Sequence, residues 1–152
     1  MIKVQTQDFN VAAEYAALCE NNQTDGAVVF FVGLVRDFNQ NSQIKSLTLE
    51  HYPAMTNKVL QDLEQQAKSR WPVNRVSIVH RVGKLTLAEQ IVFVGVTSPH
   101  RQAAFEAAQF IMDTLKTSAP FWKKEQTPTG EHWVDAKDSD EQAAKNWQNQ
   151  HI

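Results

Sequence analysis

The sequence has one cysteine, Cys19, among 152 residues. No intrachain disulfide can form, and the cysteine-rich spacings of structural zinc sites are missing, so a reducing compartment, the cytoplasm, is the expected address. Long apolar runs are missing as well. The longest, Ala27 to Val32, is far too short to span a bilayer, and Met1 to Asn10 holds no apolar stretch of the secretory kind. No membrane role is expected. Glycine and proline number five each, which excludes a collagen-like or low-complexity chain. Charge of one sign is lacking too: 15 basic residues stand against 17 acidic ones, so no global field would draw in nucleic acid. What remains is 42% hydrophobic and unbroken by any linker, which predicts a single domain over 1–152 with a helix-prone polar tail from about residue 138.

The hydrophobic pattern supplies the elements. Ile2 to Thr6 reads as a short strand, and Asp8 and Asn10 are candidate caps for a helix from about Val11 to Glu20, which carries Cys19 as a small hydrophobe. Gly26 to Arg36 is apolar at both parities, which predicts a central strand covered on both faces. Residues 37–43 are polar and read as a surface loop. A strand over 46–52 follows, and Pro53 suits the first turn of a helix that places Met55, Val59, Leu63 and Ala67 on its apolar side and stops near Trp71-Pro72. Val76, Ile78, His80 and Val82 share one face of the next strand, where His80 reads as a hydrogen-bonded core histidine. A turn over 83–90 leads to a strand from Ile91 to Ser98, apolar on both sides. From Pro99 to about Thr117 runs the longest helix, with Ala104, Ala108, Ile111 and Leu115 on one stripe, and residues 121–136 form a hairpin. Strands mixed with two substantial helices indicate an α+β fold, with helices packed on a mixed sheet.

Most familiar chemistries are absent. There is no G-x-S-x-G elbow, the lone cysteine lies in a helical pattern without a neighbouring histidine, and the five histidines show no metal-ligand spacing. Gly26 and Gly33 make neither a dinucleotide fingerprint nor a Walker loop. Cations are what is left. From His100 to Lys124 the chain carries Arg101, Lys116, Lys123 and Lys124 against Glu106 and Asp113 alone, whereas 125–141 carries six acids and one lysine. His100 and Arg101 fall at a helix N-terminus, where free N–H groups favour an anion such as phosphate. Lys116 falls in the last turn of the same helix, where it either complements the dipole or serves a site. Lys123 and Lys124 alternate across a strand, so one of them can enter a pocket. Arg36, ending a buried strand, either pairs structurally or binds. Phe121, Trp122 and Trp133 could stack on a flat heterocycle or pack on the core.

The runs GAVVFFVGLVRDFN, LTLEHYPAMTNK, HRVGKL, IVFVGVTSPHR and FEAAQFIMDTLKTSAPFWKKE, followed by WVDA, resemble the large, catalytic subunit of molybdopterin synthase, the MoaE family. The resemblance extends from about residue 9 to Trp147. It implies a sulfurtransferase that builds the dithiolene of molybdopterin on cyclic pyranopterin monophosphate, within molybdenum cofactor biosynthesis. The sulfur would come from a small ubiquitin-like subunit bearing a thiocarboxylate on its C-terminal glycine. The implied assembly is a heterotetramer around a homodimer of large subunits, and the implied fold is an α/β hammerhead plus a smaller antiparallel β subdomain. Carried over by position, Lys116 and Lys123 are the catalytic residues. Leu34, Val35, Arg36, His100, Arg101, Lys124 and Glu125 join them in binding substrate, with Phe31, Met112 and Lys137 as further lining. Lys137 replaces an arginine found in many relatives, losing its planar fork. No metal or cofactor is implied.

One geometric consequence follows. Arg101 and Lys116 lie about 22 Å apart along a helix rising 1.5 Å per residue, farther than one small pterin bridges. If both touch the same ligand, two subunits must share each site. Two other readings compete. A non-catalytic module could hold a ubiquitin-like tail in the same cationic groove, although a carboxylate needs one cation and this cluster is larger. Single-stranded nucleic-acid binding would rest on Phe121, Trp122, Lys123 and Lys124, and four residues make no backbone-tracking groove.

Overall fold

The computed structural model describes residues 1–36, 38–39, 42–43, 45–118, 121–134 and 138–148, with backbone alone at 38, 39, 42, 43, 122, 138 and 139. In chain order its elements are β1 (Ile2–Gln5), α1 (Val11–Cys19), β2 (Ala27–Leu34), β3 (Phe38–Asn39), β4 (Ser42–Gln43), β5 (Ser46–His51), α2 (Pro53–Arg70), β6 (Arg75–Arg81), β7 (Gly83–Thr86), β8 (Gln90–Ser98), α3 (Arg101–Ser118), β9 (Phe121–Thr127), β10 (Gly130–Val134) and α4 (Asp138–Gln148). The fold is α+β. One four-stranded sheet, in the order β1-β6-β8-β2, is mixed: β1 runs parallel to β6 and the other pairs are antiparallel. A second, in the order β10-β9-β5-β7, is antiparallel throughout.

Strand alternation decides what covers the mixed sheet. Val76, Ile78, Val92, Val94 and Val96 face a core built with Leu60, Leu63, Ala104, Ala107 and Ile111 of α2 and α3. Val79 and Phe93, at the opposite parity, meet Phe9 and Leu18 beneath α1. That helix starts at Asn10, whose side chain accepts from the Ala13 N–H at 2.9 Å. Asp8, the other candidate cap, instead accepts from Phe9 N–H and Gln90 Nε2. Val35, Leu47, Leu49, Val82 and Leu85 make the core of the antiparallel sheet. Ile91 and Phe121 pack against both this cluster and the main one, and so join the two sheets.

Four expectations need correction. The strand from Ala27 is at the edge of its sheet, not the centre; the strands flanked on both sides are β6 and β8, and β8 is buried throughout from Val92 to Ser98. Apolar residues at both parities of β2 arise from a different cause. Val28 and Val32 pack with the α1 cluster and Ala27 and Val29 with the main core, while Phe30, Phe31 and Leu34 stay 41%, 44% and 54% exposed. The stretch 83–90 is no simple turn, since Gly83–Thr86 pairs with β5. On α2 the buried stripe is Thr56, Leu60, Leu63 and Ala67, and Met55 points outward at 56% exposure. Within 37–43, Phe38–Asn39 and Ser42–Gln43 pair as short antiparallel strands. Among the described residues no helix is long and apolar enough to cross a membrane.

Candidate active site

A cavity of about 230 Å³ opens where the two sheets meet the C-terminal end of α3. One row across the mixed sheet lines it: Gly33 stands opposite Val92, and Val92 opposite His80. A Cβ on Gly33 would lie 2.9 Å from Val92 Cγ1 and 3.3 Å from the Phe31 ring, so glycine lets β2 close on the strand beside it. The antiparallel sheet adds Leu47, Leu49, Phe121 and Lys123, with Leu49 and Lys123 directly opposite each other. From α3 come Met112, Leu115 and Lys116, which spacing of three and four residues sets on one helix face.

The two cations reach the cavity from separate elements. Lys116, in the last turn of α3, is exposed, and Lys123 of β9 is half-buried. Both side chains line a cavity whose other walls are mostly aliphatic and aromatic, so an anion seated there meets two cations and little else that is polar. Among the described residues, no group of three or more His, Cys, Asp and Glu side chains is placed to hold a metal ion.

His80 is the third polar group on the wall. It is buried, its ring stacks on Phe121 with centroids 3.9 Å apart and planes 14° from parallel, and its Nδ1 lies 2.8 Å from the Arg81 carbonyl oxygen. A carbonyl only accepts, so Nδ1 carries the proton and donates it. Burial pushes the pKa down to about 4 and the charges of Lys123 and Lys116 push the same way, against the hydrogen bond to Arg81. The ring is therefore neutral at neutral pH. The sequence pattern placed His80 on an apolar strand face, and it is indeed hydrogen-bonded and buried; nothing in that pattern signals that the face ends at a cavity.

Of the site residues expected from the sequence, Phe31, Leu34, Met112, Lys116 and Lys123 meet on this wall. Val35 is buried in the core of the antiparallel sheet, its N–H donating to the Glu89 carbonyl at 3.0 Å. Arg36 is exposed just past β2 and is not on the wall. Lys124 turns to the other face of β9, with Nζ 3.6 Å from Glu131 and 4.9 Å from the centre of the Trp133 ring. Glu125 shares the parity of Lys123 and is buried, away from the lining. His100 and Arg101 are exposed at the far end of α3. Lys137 lies outside the described residues. A larger hollow of about 400 Å³, lined by Asp62, Arg70, Phe110 and Trp147 among others, holds none of the expected site residues.

Residues 4–118 match the family model described as MoaE protein. The chain is 56% identical over 146 residues to the molybdopterin synthase catalytic subunit of Escherichia coli K12, covering 96% of this chain and 97% of that one. Among solved structures it is similar to the molybdopterin biosynthesis MoaE protein of Burkholderia ambifaria, with a TM-score of 0.84, 48% identity and 99% of each chain covered. It is also similar to molybdopterin synthase of Staphylococcus aureus, with a TM-score of 0.81, 30% identity, and 88% of this chain and 96% of that one covered.

Proposed function

The chain belongs to the MoaE protein family, and on that premise we propose that it is the catalytic subunit of a molybdopterin synthase, acting as a sulfurtransferase on cyclic pyranopterin monophosphate. One observation carries this reading: Lys116 and Lys123, from a helix end and a distant strand, converge with Phe31, Leu34 and Met112 on one small apolar-walled cavity. The thiocarboxylate sulfur of a small ubiquitin-like partner bonds to an electron-poor side-chain carbon of the pterin, whose C–O bond breaks as the oxygen leaves with the electron pair and takes up a proton; a second loaded partner repeats the step for the second sulfur. Water then attacks the acyl carbon, the C–S bond to the partner breaks, and the sulfur stays on the pterin while the partner leaves as a carboxylate. Both steps build negative charge on oxygen or sulfur, which two ammonium groups lining an apolar-walled cavity stabilise. The substrate phosphate finds its counter-charges in the same cluster. The reaction belongs in the cytoplasm, where the single thiol of Cys19 needs no partner.

Assembly around a homodimer of this chain is part of the proposal. The cavity takes residues from the Lys116 end of α3, whereas His100 and Arg101 occupy its other end, about 22 Å away at 1.5 Å per residue. Arg101 and His100 of a second copy would complete the pocket, with Arg36 at its rim. Support for association also comes from β2, an edge strand with Phe30, Phe31 and Leu34 exposed, the sort of surface that proteins cover with another chain. The partner's tail would enter the cavity in extended form. Mixing the protein with thiocarboxylated partner and the pterin precursor should yield dithiolene product; its absence with both substrates saturating refutes the assignment.

A further inference from the structure

Among the described residues lining the cavity, His80 is the one whose side chain offers a nitrogen or oxygen acceptor. The two lysines only donate, and the other walls are apolar. Its tautomer is held: the Arg81 carbonyl takes the Nδ1 proton at 2.8 Å, which leaves the lone pair on Nε2. Its orientation is held as well, by the close stack on Phe121 and by its place in the row with Val92 and Gly33. Among the described side chains the cavity thus pairs cations, which suit an anion, with one fixed acceptor, which suits an N–H or O–H. We infer that His80 is a specificity-determining residue whose Nε2 accepts a hydrogen bond from a ring N–H of the bound pterin while Lys116 and Lys123 hold the anionic groups.

This rests on the pterin reading of the cavity and adds to it. A pterin carries N–H donors on its heterocycle, and a neutral imidazole meets them where a third cation would repel them. Neutrality follows from the position of the ring: burial and two neighbouring ammonium groups all oppose protonation. Losing one hydrogen bond of this kind weakens binding by about three- to ten-fold.

Two variants separate this role from packing. His80→Phe keeps a ring against Phe121 and removes the acceptor; His80→Gln returns a neutral acceptor without the ring. Pterin binding is measured directly by titration, and turnover is measured beside it. His80→Phe should raise the dissociation constant and the KM for the pterin by about three- to ten-fold, with the loss in KM rather than kcat, and His80→Gln should recover most of it. Unchanged pterin affinity in His80→Phe overturns the inference, and so does equal weakening in both variants, which would make His80 a packing residue. If the wild-type protein binds the pterin but forms no dithiolene, the proposed reaction fails while the role of His80 is still decided by the titrations. If it does not bind the pterin at all, both fall.

Discussion

Lowering the pH from 7 to 5 should cost this protein about 2 kcal/mol of stability through His80 alone. Free histidine takes up a proton near 6.5, whereas in the folded chain burial, with help from Lys123 and Lys116, holds His80 down to about 4. Between those values the unfolded chain binds a proton that the folded chain refuses. The contribution of the neutral ring is therefore complete above pH 6.5 and declines as the pH falls toward 4, where the accumulated loss levels off at about 3 kcal/mol. The carboxylates with lowered pKa act in a lower window. Asp8, held down chiefly by the Gln90 hydrogen bond, and Glu89, held down by the Thr86 N–H, lose their contributions only as the pH drops below the ordinary carboxylate range. Urea unfolding at pH 7, 6 and 5, at one protein concentration, should be compared for wild type and His80→Phe. The variant has no titrating ring at that position, so the wild type should lose about 2 kcal/mol more over the interval. Parallel losses in the two proteins would show that the ring is protonated in the folded state or sits in water, and the account of the cavity wall would be refuted.

Lys116→Ala should abolish product formation and change stability by at most about 1 kcal/mol, since an exposed lysine in a last helical turn contributes little more; near-normal turnover with saturating partner would make Lys116 structural. Lys123→Ala should be severely impaired in the same assay and Lys124→Ala only mildly, because Lys124 is engaged with Glu131 and Trp133 on the opposite face of β9; equal losses would undo the face assignment. Mixing inactive Lys116→Ala with inactive Arg101→Ala subunits should restore part of the activity through heterodimers with one intact site. No recovery despite demonstrated subunit exchange would mean that each pocket is built from one chain. Deleting the last two residues of the small partner should eliminate turnover even where docking survives, and full activity would sink the threaded-tail geometry.

Local pattern was enough for most of the elements. Helical periodicity over 101–118, Pro53 at a helix start and alternation in 75–81 and 90–98 are properties of short windows, and the observed bounds lie within a few residues of those expected. The family could be read from ordered runs of sequence, and so could the candidacy of Lys116 and Lys123, because both are carried by residue identity at fixed positions. Other features depend on which strands are neighbours, which no local window contains. The apolar run of β2 looked like a buried centre, yet pairing leaves it at an edge with Phe30, Phe31 and Leu34 exposed, because apolar residues at both parities do not specify which strands pair. On α2 the stripe turned from Met55 toward Thr56 and Leu60 once a particular sheet lay beneath it. His80 shows the limit most clearly. Its parity placed it in the core, but its nearness to Lys116 and Lys123, 36 and 43 residues away in sequence, arises only when α3 and β9 close over the end of the mixed sheet. That closure gives the imidazole its stacking partner, its desolvation and its charged neighbours together, and tertiary packing is what turns a buried strand residue into part of a cavity wall.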